Sequence, residues 1–97
     1  MVALLFCLGC ASAQRGTIMR AQAAIDDSKY QVALNRLSYA ESCAKPEPIV
    51  AARLYYMKGI CYQGLHKPDE AKAMFKFVID RYPDTDYGYM AKEKLSK

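Results

Sequence analysis

One set of spacings constrains this chain more than any other feature. Tyr55-x-x-Lys58-Gly59-x-x-Tyr62 is followed nine residues later by Ala71-x-x-x-Phe75, and then by Pro83. Gly59 and Ala71 are small, so two helices carrying them can approach closely there. Tyr62 and Phe75 are large and fill the space beside that crossing. Proline cannot continue a helix interior, so Pro83 ends the second helix. That helix also reads well alone: Ala71, Phe75, Val78, Ile79 and Tyr82 fall on one face at helical spacing. Pro68 sits in its first turn, where a missing N–H costs nothing, and Asp69 and Glu70 suit its positive end. Thr85 or Asp86 is placed to cap a following helix.

A degenerate copy precedes it, from Gln14 to about Glu47. Ala21 stands where Gly59 does, Tyr30 opens the second helix, Ala33 matches Ala71 and Leu37 matches Phe75. Asp26-Asp27-Ser28 reads as the turn. Ala33 and Ala71 are 38 residues apart. Lys45-Pro46-Glu47-Pro48 is a strong helix stop. After Pro83, Asp86 to Lys97 is long enough for a closing helix, which a stacked array needs so that its last pair does not expose an apolar face.

These residues resemble the tetratricopeptide repeat, whose signature runs W-x-x-L-G-x-x-Y, A-x-x-x-F, P over a period of about 34 residues. Tyr55 stands for Trp and Lys58 for Leu; the other positions match. The resemblance implies an all-α fold: two helix-turn-helix pairs, residues 14–47 and 52–85, with a cap helix at 86–97, in a right-handed superhelical array. The four residues beyond the family period are expected at the junction, around Pro46 to Val50. The stretch Glu70 to Ala91, EAKAMFKFVIDRYPDTDYGYMA, is similar to modules of bacterial envelope proteins, among them β-barrel assembly lipoproteins and Tol-Pal-associated division coordinators. What this implies is a periplasmic scaffold that holds partner proteins.

The first 14 residues, MVALLFCLGCASAQ, carry no charge. Val2 to Leu8 has the length of a secretory apolar region and is too short to span a bilayer, which takes ~20 residues. Leu8-Gly9-Cys10 resembles the end of a bacterial lipobox. On that reading residues 1–13 are signal and leader region and Cys10 is lipidated, with Ala11 and Ser12 implying the outer membrane. Ala11-Ser12-Ala13 is alternatively an export cleavage site, giving a soluble periplasmic chain from Gln14. A structural cytosolic helix is the third reading. Cys7 stands where the lipobox favours Leu, and no cation precedes the apolar run.

The net charge of +4 is spread over interleaved acids and bases with no run of five like charges, so no nucleic-acid arm is present. Cys43 and Cys61 flank the inter-repeat turn at an axial offset of ~10 Å on neighbouring helices. A disulfide needs Cα atoms within ~7 Å, so both read as small buried thiols. The lone histidine, His66, lies in a turn without a metal-ligand partner. Asp26-Asp27 and Asp84-Thr85-Asp86 are turn and cap signals. No catalytic set, cofactor motif or metal site is expected.

By family position, a concave groove would be lined by Arg15, Ile18, Gln22 and Ile25, then Arg53, Tyr56, Ile60 and Gln63, then Tyr87, Met90 and Lys94. Tyr55, Tyr62 and Tyr82 are expected in the core; Tyr56 and Tyr87 are expected on the groove face. Chaperone adaptors of the family hold a peptide's terminal carboxylate with Lys, Asn and Arg at such places. Here Ile18, Gln22, Tyr56, Ile60 and Met90 stand there, so that clamp is absent. An apolar groove rimmed by Arg15, Arg53 and Lys94 suits a partner segment with apolar anchors and acidic flanks. Two alternatives stay open: these residues pack on one another, or the groove and cap form a homodimer.

Overall fold

The structure, a computed structural model, describes the backbone of residues 2–43 and 46–97 and the side chains of residues 14–42 and 46–97. The described backbone is helical throughout its regular elements: α1 (Val2–Asp26), α2 (Tyr30–Cys43), α3 (Pro48–Gly64), α4 (Pro68–Arg81) and α5 (Asp86–Leu95). The all-helical class expected from the spacings is what the chain forms. It divides into two compact units, Met1–Pro46 and Glu47–Lys97.

In the first unit α1 packs along α2. Gln14, Thr17, Ile18, Ala21 and Ala24 are buried on α1, and Ala33, Leu34, Leu37 and Ala40 on α2. Both sets recur at three- and four-residue steps, the stripe of an amphipathic helix. Small residues dominate, as close approach requires. Gln14 Nε2 donates to the Ala40 carbonyl at 2.9 Å, and Arg36 donates to the Arg20 carbonyl at 3.1 Å. Helix α1 is continuous across positions 10 to 14. Lipidation at Cys10 and the cleavage positions at Cys10 and Ala13 fall outside the described side chains, as does Cys43.

In the second unit α3 packs on α4, and α5 packs on both. Its core is Ala52, Tyr56, Ala71, Phe75, Val78 and Ala91. The Phe75 ring packs directly onto Gly59: a Cβ there would lie 2.5 Å from Phe75 Cε1. Helix α3 starts at Pro48, with Glu47 as N-cap. Of the stretch Pro46 to Val50, where the junction insertion is expected, Pro48 to Val50 therefore lie in the first turn of α3, and Pro46 and Glu47 precede it. Proline reads as a helix stop in sequence, but at the first helical position its missing N–H is harmless. Pro68 opens α4 in the same way. Thr85 caps α5, its Oγ1 accepting from the Gly88 N–H at 3.0 Å.

The two hairpins share one turn geometry. In the first, Ser28 N–H donates to the Ile25 carbonyl and Lys29 N–H to the Ala24 carbonyl. In the second, His66 N–H donates to Gln63 and Lys67 N–H to Tyr62. Ser28 and His66 both take left-handed backbone, φ 61° and 60°. This closes the open carbonyls at a helix C-terminus. The matching turn residues are 38 apart, the same step as Ala33 to Ala71.

Candidate functional site

The described part of the second unit holds a solvent-open cleft of about 690 Å³, within the roughly 300–1,000 Å³ of ordinary ligand sites. Three helix ends meet there. The C-terminal end of α3 and its turn bring Gln63 and His66. The first half of α4 brings Pro68, Asp69, Ala71, Lys72 and Phe75. The end of α5 brings Lys94 and Leu95, with Lys97 just beyond it. Ala71, Phe75 and Leu95 form the apolar floor. Lys72, Lys94 and Lys97 stand on the rim, all exposed, against Asp69 as the one carboxylate lining it.

Beside this floor the space between α3 and α5 is filled by rings. Tyr56 meets Phe75 at 5.5 Å between centroids and Tyr87 at 5.7 Å, both tilted. Such pairs contribute about 0.5–1.5 kcal/mol beyond their area. Burial, and after it the nearby Glu93 and Tyr87, raise the Tyr56 phenol above its usual pKa, so the hydroxyl is neutral at physiological pH. On the other side of α3, Tyr55 packs edge-on against Phe77 at 4.6 Å, and Phe77 meets Tyr82 at 6.2 Å.

Of the groove residues expected in the second unit, Gln63 and Lys94 come together in the cleft. Tyr56, expected on the groove face, is instead in the core, 8% exposed. Tyr87 from α5 covers it, the two rings 5.7 Å apart between centroids. Tyr87 and Ile60 are half-buried against the same core. Arg53 is half-buried, while Met90 is exposed. Tyr55, Tyr62 and Tyr82 pack against the core as partly buried residues. In the first unit Ile18 is buried at 2% exposure, Ile25 is half-buried and Arg15 exposed. Gln22 Nε2 donates to Asp26 Oδ1 at 3.0 Å.

Sequence reasoning missed Lys72 and Lys97. Lys72 lies on the second helix of its pair, away from where the family groove is sought, and Lys97 lies beyond the end of α5. The signal that could have found them is the facing of helix ends: a cation one turn into α4 is brought opposite the end of α5 by the α4–α5 turn. Cys61 is a free, fully buried thiol, and burial pushes its pKa up to about 11. No group of residues able to hold a metal is present among the described residues. Among the described residues no helix is long and apolar enough to cross a membrane.

Comparison with protein families, curated proteins and solved structures finds no match.

Proposed function

We propose that this chain is a protein-binding scaffold of tetratricopeptide type, working in the bacterial cell envelope without catalysing a reaction. Its two hairpins are read as repeats of a right-handed superhelical array, with α5 as the cap. The repeat reading is supported by the matching turn closures at Ser28 and His66 and by the packing of the Phe75 ring onto Gly59. The observation that carries the binding role is the solvent-open cleft where α3 and α5 end and α4 begins, floored by apolar side chains and rimmed by charge. Such a site takes a segment of another protein, with the floor as anchor and the rim as selector. The envelope location rests on the uncharged leader and the lipobox-like Leu8-Gly9-Cys10. On this reading Cys10 is acylated, and the domain faces the periplasm from the outer membrane.

A photo-crosslinking residue at Gln63, compared with one at exposed Lys76 on α4, tests the site in cells of the source organism. A discrete protein adduct from position 63 and none from position 76 is the expected result. No adduct above background from positions 63, 66 and 94 alike overturns the reading.

Self-association is the second reading. Tyr89 at 60% and Met90 at 41% exposure stand side by side on α5. Light scattering across a hundredfold concentration range decides it, and a strict monomer removes it.

A further inference from the structure

We infer that the cleft of the second unit selects an extended acidic segment of its partner, carboxylates meeting Lys72, Lys94 and Lys97 while an apolar side chain rests on Leu95. This deepens the binding role proposed above and rests on it.

The charge balance is one-sided. Three lysines, drawn from α4 and from the end of α5, face one carboxylate, Asp69, across the same opening. Lys94 and Lys97 have a local reason to be where they are, since cations suit the negative end of a helix. Lys97 also lies 3.9 Å from Glu93, an exposed pair of little energetic weight. Lys72 is not placed by that effect: it stands in the second turn of α4, three residues after Asp69, beyond the first turn over which the helix dipole acts. Its placement makes sense as part of a set whose other members come from α5.

The floor argues for a peptide rather than a small anion. Leu95 is half-buried, and together with Pro68 it offers an apolar surface beside the cations. A simple anion would leave that surface exposed. An extended strand sends alternate side chains to opposite faces, so a segment alternating acidic and apolar residues can present one kind to the rim and the other to the floor. Exposed ion pairs each contribute little; three together, with an apolar anchor, give weak, salt-sensitive binding with a Kd in the micromolar range or above.

The test uses the full chain, labelled with nitrogen-15 in detergent micelles. The probes are a blocked six-residue peptide alternating Glu with Leu and its Gln/Leu counterpart. The acidic peptide should shift the amides of Gln63, His66, Lys72 and Leu95. The neutral peptide should bind at least tenfold more weakly, as should the acidic one to the Lys72→Gln, Lys94→Gln, Lys97→Gln triple variant. These lysines are exposed, so an unchanged circular dichroism spectrum shows that the variant folds. Equal binding of the two peptides overturns the inference, and so do shifts reproduced by free glutamate at equal carboxylate concentration. Either result leaves the crosslink from position 63 unaffected. Loss of that crosslink in cells is what removes the binding role itself.

Discussion

A Cβ at Gly59 would lie 2.5 Å from a ring carbon of Phe75, and one at Gly88 would lie 2.5 Å from the Tyr82 carbonyl and 2.9 Å from that of Pro83. The neighbours differ in kind. Phe75 is a side chain, although one held at 1% exposure against Tyr56. The Tyr82 and Pro83 carbonyls are backbone and cannot step aside. Alanine gains about 1 kcal/mol over glycine in helix propensity, which offsets part of the overlap. We expect Gly59→Ala to cost about 1–2 kcal/mol and Gly88→Ala about 3 kcal/mol, read by urea unfolding. In a Phe75→Leu background the Gly59→Ala cost should vanish, because the ring that meets the new methyl is gone; a cycle with no coupling between positions 59 and 75 contradicts this packing. Cys61 supplies a pH signature. Burial pushes its folded pKa up to about 11, above the ordinary thiol value of 9.0, so the folded state holds its proton where the unfolded chain has released it. The stability this represents, on the order of 2 kcal/mol, is fully present below pH 9 and is lost as pH rises towards 11. Cys61→Ala should flatten that part of the curve relative to the parent, and parallel curves would show that the thiol is not buried.

The helices differ in how far they could be read in advance, and the differences have local causes. Helix α4 was legible from end to end, because Pro68, two acids in the first turn, an apolar stripe and Pro83 all say the same thing. Helix α5 was legible through Thr85 and its threonine cap. The start of α3 was not, since Pro46-Glu47-Pro48 reads as an interruption, and only the backbone shows that Pro48 begins the helix. The face of α3 was legible by period, but whether it is open depends on a third helix. Tyr56 lies where expected along α3 and is nevertheless buried, because Tyr87 returns over it. No periodicity within one helix contains that information, and the same holds for Lys72 and Lys97 meeting across the cleft. The turns carry the element-scale prediction. Ser28 and His66 hold left-handed φ, which costs an L-residue roughly 1–2 kcal/mol. Glycine removes that cost while adding unfolded-state entropy. His66→Gly should therefore raise stability by about 0.5 kcal/mol and His66→Val should lower it by about 1 kcal/mol or more, the β-branch being worst suited to this region. A thermal melt that ranks Val above Gly would contradict the turn geometry.

At the scale of the whole molecule, α1 makes the two proposed cleavage sites, before Cys10 and before Gln14, physically unequal. Gln14 is 6% exposed, with Nε2 on the Ala40 carbonyl near the far end of α2. This bond ties the start of the buried stripe of α1 to its partner helix. Removal of residues 1–9 would leave Cys10 to Ala13 as a turn of helix ahead of Gln14. Removal of residues 1–13 would make Gln14 the chain terminus, where helices fray and where a free α-amino group would adjoin a buried contact. The terminal charge is also unfavourable at the positive end of a helix. A lipid-anchored Cys10 would have neither drawback, since its amine would be acylated and held away by a full turn. The expected outcome is that a chain beginning at residue 10 is more stable than one beginning at residue 14 by about 1 kcal/mol, the value of a typical buried hydrogen bond. Chemical unfolding of the two, each with Cys10 replaced by Ala where present, measures it. In cells the same Cys10→Ala change in the full chain should move the protein from the membrane to the soluble fraction. An intact Met1 terminus on the wild-type protein by mass spectrometry rules out both cleavage sites and makes Val2–Leu8 part of the mature helix.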